Sequence, residues 1–193
     1  MSRDTATGVR NRTLHFRLAT EHRWLTCHTN SAHTRLVDLL NSTQDQMVLV
    51  QVESCEGKNG EGVLAGAPSE YVAGVSTGAI LCGIPIEPAG AAAAPRRSPA
   101  WVERSLWRAR IGIGPYEIVG NLHLPKGATL NEEAAMASAR FLVVTDATIW
   151  RPDGSSVQER VVVVNRARMD FMISEPRAGE GSASGEKVLA AVS

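Results

Sequence analysis

The sequence predicts a mainly β protein: two tandem, small five-stranded barrel-like units, each with a short helical insert. Three observations predict it. Apolar residues alternate over short runs that end in Gly, Pro or Asx clusters, as in half-buried strands. An Ala- and Pro-rich segment, EPAGAAAAPRRSPA (87–100), divides the chain near its middle, and prolines at 88, 95 and 99 forbid a continuous helix there. The parts on either side fall into the same order of strands, insert and turns when Leu36 is laid on Leu130. The expected organisation is a disordered N-terminus over 1–12, a first β unit over 13–88, a linker over 89–100, a second β unit over 101–175 and a disordered tail over 176–193.

In the first unit, TLHFRLATEH and RWLTCH read as a strand pair, RLVDLLN as the helical insert and MVLVQVESC as the third strand. Asn59-Gly60 follows as a turn. In the second, VERSLWRARIGI (102–113) and YEIVGNLHL (116–124) alternate and are joined by Gly114-Pro115, a hairpin signal. Residues 127–139 are rich in Ala and Glu and read as a short helix, with Thr129 or Asn131 as N-cap. FLVVTDATIW is the third strand, Asp153-Gly154 a reverse turn, VQERVVVVN the fourth strand and RMDFMIS the fifth. Barrel closure would remove exposed sheet edges.

With Leu36 on Leu130, QMVLVQVESC (46–55) meets RFLVVTDATI (140–149) and KNGEGV meets PDGSSV. Farther on, TGAILCGIPIEP (77–88) meets NRARMDFMISEP (165–176). Identities are few (Leu36/Leu130, Val50/Val144, Gly60/Gly154, Val63/Val157 and the closing Glu-Pro), so the match is one of order.

Composition narrows the function classes. The chain has 193 residues, 44% apolar and 21% charged, with zero formal net charge, so no whole-chain field drives it toward nucleic acid or membrane. Three cysteines without paired spacing argue against a disulfide framework and point to a reducing cytoplasm. The N-terminus has charges and no apolar run of the secretory kind. The most lipid-like stretch, VAGVSTGAILCGIPIEP, is ended by Glu87 and two prolines before it could span a bilayer.

Two resemblances rest on particular residues. LVVTDATIWRPDG and VVVVNRARMDFM stand where the Sm-like barrels carry their acidic strand end, variable loop and valine-rich strand. The order resembles that family and implies its small-barrel fold. The family's RNA-contacting Asp/Met/Asn loop has no match in GATLNEEAA, and Asp38-Leu39-Leu40-Asn41 only echoes it, so RNA binding is not implied. Gly120 to Pro125, Gly127, Leu130, Phe141 to Thr148, Gly154 and Val164-Asn165 also resemble a bacterial domain of unknown function, with the pattern G-x-L-H-L-P-x-G-x-x-L, F-L-x-L-T-D-A-T, D-G, V-x-V-N. That resemblance implies membership and brings no activity.

Few residues offer chemistry. Cys27, His28 and His33, with His22 and Cys55, carry ligand types that suit zinc. Adjacent Cys27 and His28 point to opposite faces of a strand, however, and no CxxC is present. His123 and Asp146 could pair as base and orienting acid, but no nucleophile is placed beside them. Asp146 otherwise reads as a residue that bonds a neighbouring loop. Arg96, Arg97, Arg104, Arg108 and Arg110 form a local basic region near Trp101 and Trp107, interrupted by Glu103. Those two tryptophans are the partner-interface candidates; alternatively they close their own unit. The expectation is a cytoplasmic, non-enzymatic interaction or assembly module without catalytic, cofactor or metal residues. Its partner would be a protein or a second copy. A nucleic-acid-binding Sm-like protein is the alternative, and a metal-binding or enzymatic accessory protein the third reading.

Overall fold

The computed structural model describes residues 12–42, 47–57, 72–86, 104–126, 139–174 and 190–191. The first half supplies β1 (Arg12–Ala19), β2 (Arg23–Ser31), α1 (Leu36–Ser42), β3 (Met47–Gly57), β4 (Val72–Ser76) and β5 (Cys82–Ile86). The second supplies β6 (Arg104–Ile113), β7 (Tyr116–Pro125), β8 (Phe141–Trp150), β9 (Ser156–Asn165), a short 3-10 helix (Arg166–Arg168) and β10 (Phe171–Ser174). β11 (Ala190–Ala191) closes the list. The predicted strands stand within a few residues of these bounds. The second helical insert, the Asn59-Gly60 turn and the linker lie outside the described residues.

All strands join one antiparallel sheet in the order β11-β10-β6-β7-β8-β9-β5-β1-β2-β3-β4. The expected barrels do not close. The reason is the choice of partner at one edge: β9 pairs with β5 of the other half, not with β10 of its own. The sheet therefore runs on through both halves and keeps two ends. Each half contributes its strands in the same internal order, with the fifth strand beside the first and the fourth at the far side.

Alternation puts one face of each strand inside. Leu36 and Leu40, four residues apart in α1, bury one helix face over the sheet. Two cores result, and each mixes the halves. One gathers Ile111, Ile118, Val144 and Ile149 with Trp24, Leu81 and Ile84 of the first half. The other gathers Phe16, Leu18, Leu40 and Val50 with Phe141 and Val163 of the second. Trp24 meets Tyr116 edge-to-face at 5.6 Å between ring centroids, with the Arg17 guanidinium 5.0 Å from the indole centroid.

The junction of the halves is polar as well as apolar. Cys82 and Gly83 pair with Val164 and Val163. The buried Asn165 side chain donates to the carbonyls of Thr77 (3.1 Å) and Ile80 (2.8 Å). The Asn165 main-chain N–H donates to the Leu81 carbonyl at 2.9 Å. Arg140 donates to Thr77 Oγ1 at 2.6 Å, and Arg168 pairs with Glu21.

The two expected turns that fall among the described residues hold. Gly114 and Gly154 take positive φ (53° and 81°), as their turns require. The Gly114 N–H donates to Asp170 Oδ2, and the Ser155 N–H to Asp153 Oδ1, each at 2.8 Å. The Ser155 bonds hold the Asp153 carboxyl below its ordinary pKa.

Candidate functional site

The same ladder step is irregular in both halves. Between β2 and β3 the register passes from Thr26↔Ser54 to Cys27↔Val52, skipping Glu53. Between β7 and β8 it passes from Val119↔Thr148 to Asn121↔Thr145, leaving Asp146 and Ala147 against Gly120. Such bulges re-aim side chains. At the first, Val52 and Cys55 both stay buried, while Glu53 remains partly exposed. At the second, Asp146 takes φ 49°, the single positive φ outside glycine among the described residues.

Each bulge places a carboxylate beside a polar side chain of the neighbouring strand, His28 in the first half and Asn121 in the second. His15 and His28 oppose each other across β1 and β2, with ring centroids 5.2 Å apart. Glu53 Oε1 lies 2.8 Å from His28 Nδ1 and 3.4 Å from His15 Nδ1. The ligand atoms of all three lie within 4.8 Å of one another, the one such group among the described residues. Two imidazoles and a carboxylate could hold zinc and leave a fourth position open. In the second half Arg108 opposes Asn121, and the Asn121 amide donates to Asp146 Oδ2 at 3.3 Å.

The Cys/His grouping suggested by sequence does not assemble. Cys27 is buried and His28 faces the other way, as adjacent strand residues must. Burial, and then the Glu53 charge, push the Cys27 thiol up to about 12; burial pushes Cys82 up to about 12. All three cysteines are free and buried. Sequence reasoning missed His15 and Glu53 because hairpin register and a bulge bring them to His28. His15 was findable, since the predicted hairpin fixes which residues oppose; the bulge leaves no such mark.

His123 and Asp146 do not pair either. His123 Nε2 lies 2.9 Å from Thr145 Oγ1. Arg110 is ion-paired with Glu117, which neutralises part of the basic region. Trp107 is half-buried against the core of its own half. Trp101, Arg96 and Arg97 lie outside the described residues.

The remaining surface of interest is the β3–β4 end of the sheet. Met47 (51% exposed), Leu49 (66%) and Val72 (64%) lie there together. The ladder pairs Met47 with Ser76, Leu49 with Gly74 and Val48 with Val75. At the other β edge of this kind, Phe141 pairs with Asn165, Val143 with Val163 and Leu142 with Val164. With Leu36 laid on Leu130, Met47 falls on Phe141 and Leu49 on Val143. By these ladders Ser76, not Thr77, stands at the level of Asn165. Phe141 and Val163 are 1% exposed, sealed by the first half, whereas their counterparts Met47 and Gly74 are open. Among the described residues, no helix is long and apolar enough to cross a membrane.

No protein-family model, curated protein or solved structure matches the chain.

Proposed function

We propose that the protein is a non-enzymatic assembly module that joins protein chains by extending its sheet at a free strand edge. One observation carries this reading. The surface that seals the two halves together at β8–β9 has a bare counterpart at β3–β4, with Met47, Leu49 and Val72 exposed beside β4, whose outer edge pairs with no strand among the described residues. An exposed apolar edge is a template for strand addition, and soluble proteins normally blunt it. The repeated strand order and matched bulges support a tandem duplication of Sm-like connectivity. The ion-paired Arg110 gives less support to nucleic-acid binding. The test is chemical cross-linking with peptide mapping, on wild type and Leu49→Glu. The reading expects a stoichiometric protein complex, with itself or another chain, whose cross-links fall on β3–β4 and vanish in the variant. Absence of any such complex, with both proteins alike, would overturn it.

The His15, His28 and Glu53 cluster favours a second reading, in which the module also holds a divalent metal. Zinc titration by calorimetry tests it. Binding at one equivalent that His15→Ala, His28→Ala and Glu53→Gln each abolish would support it; no binding to wild type would end it.

A further inference from the structure

β11 occupies a seat on β10 that matches, pair for pair, the seat β9 occupies on β5. On β5, Gly83 opposes Val163 and Cys82 opposes Val164. On β10, Met172 opposes Ala190 and Phe171 opposes Ala191. The two host edges correspond. Gly83 stands beside Leu18, which pairs with Leu25; Met172 stands beside Ile111, which pairs with Ile118. Both guests run antiparallel to their hosts. The two-residue β11 is therefore a short stand-in for a fourth strand.

The strand with the matching sequence position is β4. Its Gly74 and Val75 stand at the ladder levels of Val163 and Val164. β4 of the same chain lies at the opposite end of the sheet from β10, so it reaches that seat only from another copy. We propose that β4 of one copy adds to the β10 edge of a second copy, displacing β11, so that the sheet continues head-to-tail from chain to chain. This rests on the assembly reading and names its partner as the chain itself. In the joint Gly74 opposes Met172 and Val75 opposes Phe171. Met47 is then covered as Phe141 is covered within one chain. The joint is heterologous, so copies close into a ring or propagate as a filament. The C-terminal strand holds the β10 edge until displaced. A two-residue strand forms few ladder bonds, while β4 brings five residues and the apolar surface of Met47, Leu49 and Val72.

Continuing the register brings Val72 of one copy opposite Ser174 of the next. Both are exposed, so cysteines placed there report the joint directly. The experiment compares wild type, a chain ending at residue 187, and that shortened chain carrying Met47→Glu. Each is followed by light scattering over a range of concentrations, with circular dichroism as the folding control. The shortened chain should shift to masses at least twice that of the monomer at concentrations where wild type is smaller. Met47→Glu should return it to monomer with the same spectrum. A Val72→Cys, Ser174→Cys double variant of the shortened chain should form intermolecular disulfides, and either single variant should not form that pair. A folded shortened chain that stays monomeric at every concentration overturns the proposal. So does a disulfide yield no greater than that of the singles. If the proposal falls in this way while β3–β4 cross-links to a different protein, the assembly reading stands and only self-association is lost.

Discussion

Asn41, the penultimate residue of α1, grips the main chain of Phe141 with both ends of its amide. Its Nδ2 donates to the Phe141 carbonyl at 3.1 Å, and its Oδ1 accepts from the Phe141 N–H at 2.9 Å. A helix of the first half thereby completes the opening of β8 in the second, where Phe141 also enters the first half's core. Asn41→Ala leaves one donor and one acceptor unmet at a part-buried site, which costs about 1–3 kcal/mol. Asn41→Asp keeps the acceptor and loses the donor, so it should fall between wild type and Ala. Urea unfolding midpoints at constant m-value check the ranking; an Ala variant equal to wild type would show that water replaces the grip.

The mixed cores predict one unfolding event. Trp24 of β2 lies in a core built mainly by the second half, against Tyr116, and Val163 of β9 lies in the first half's core. Neither half keeps its interior without the other. Thermal unfolding followed by tryptophan fluorescence and by far-ultraviolet circular dichroism should give coincident single transitions. Trp24→Ala should lower both together, by about 3–5 kcal/mol in stability. Two separated transitions would mean that the halves fold independently.

Much of this architecture was legible, and the unread part has a physical cause. Alternation marked the strands, and Gly114-Pro115 and Asp153-Gly154 marked their turns. The Leu36-on-Leu130 slide already set Met47 against Phe141. Alternation is blind to which strand sits beside which, however. A period-two pattern on β9 fits a neighbour of its own half or of the other equally well, and the choice of β5 over β10 decided between closed barrels and one sheet. The run Val161 to Val164 did carry a hint. Continuous apolar residues signal burial on both faces, and Val162, Val163 and Val164 are buried on alternating sides of the β9–β5 junction. The His15, His28 and Glu53 cluster depends on a bulge, which single-sequence patterning does not locate. The tail was expected to be disordered over 176–193; within it Ala190 and Ala191 pair with β10.

The second bulge should be sensitive to one glycine and tolerant at its carboxylate. A Cβ on Gly120 would lie 2.4 Å from Val144 Cγ1, 3.0 Å from the Thr145 carbonyl oxygen and 3.1 Å from Ala147 Cα. Two of these are backbone, which cannot swing aside, so Gly120→Ala should cost about 1–3 kcal/mol or more. Asp146 holds φ 49°, a region that Asp and Asn enter more readily than Ala. Asp146→Ala should therefore destabilise by about 1–2 kcal/mol, while Asp146→Gly and Asp146→Asn stay within about 0.5 kcal/mol of wild type. Denaturant titration of the set separates backbone strain from chemistry. If Ala and Gly behaved alike, the positive φ would not be what Asp146 supplies.

Alkali should weaken the fold through its buried thiols. Cys27 and Cys82 ordinarily lose their protons near 9.0, but burial holds both folded-state values up at about 12. Between those limits the unfolded chain has released protons that the folded chain keeps, so rising pH favours unfolding. The stability from burying neutral thiols is fully present below pH 9 and is lost progressively as pH climbs toward 12. Each thiol contributes a slope approaching about 1.4 kcal/mol per pH unit in that window. Urea midpoints from pH 8 to pH 11 should fall in wild type, and Cys27→Ala, Cys82→Ala should flatten the curve while lowering its plateau. The same burial predicts that iodoacetamide at pH 8 leaves Cys27 and Cys82 unmodified until denaturant is added. A variant curve parallel to wild type, or prompt alkylation of the native chain, would place those thiols in contact with solvent.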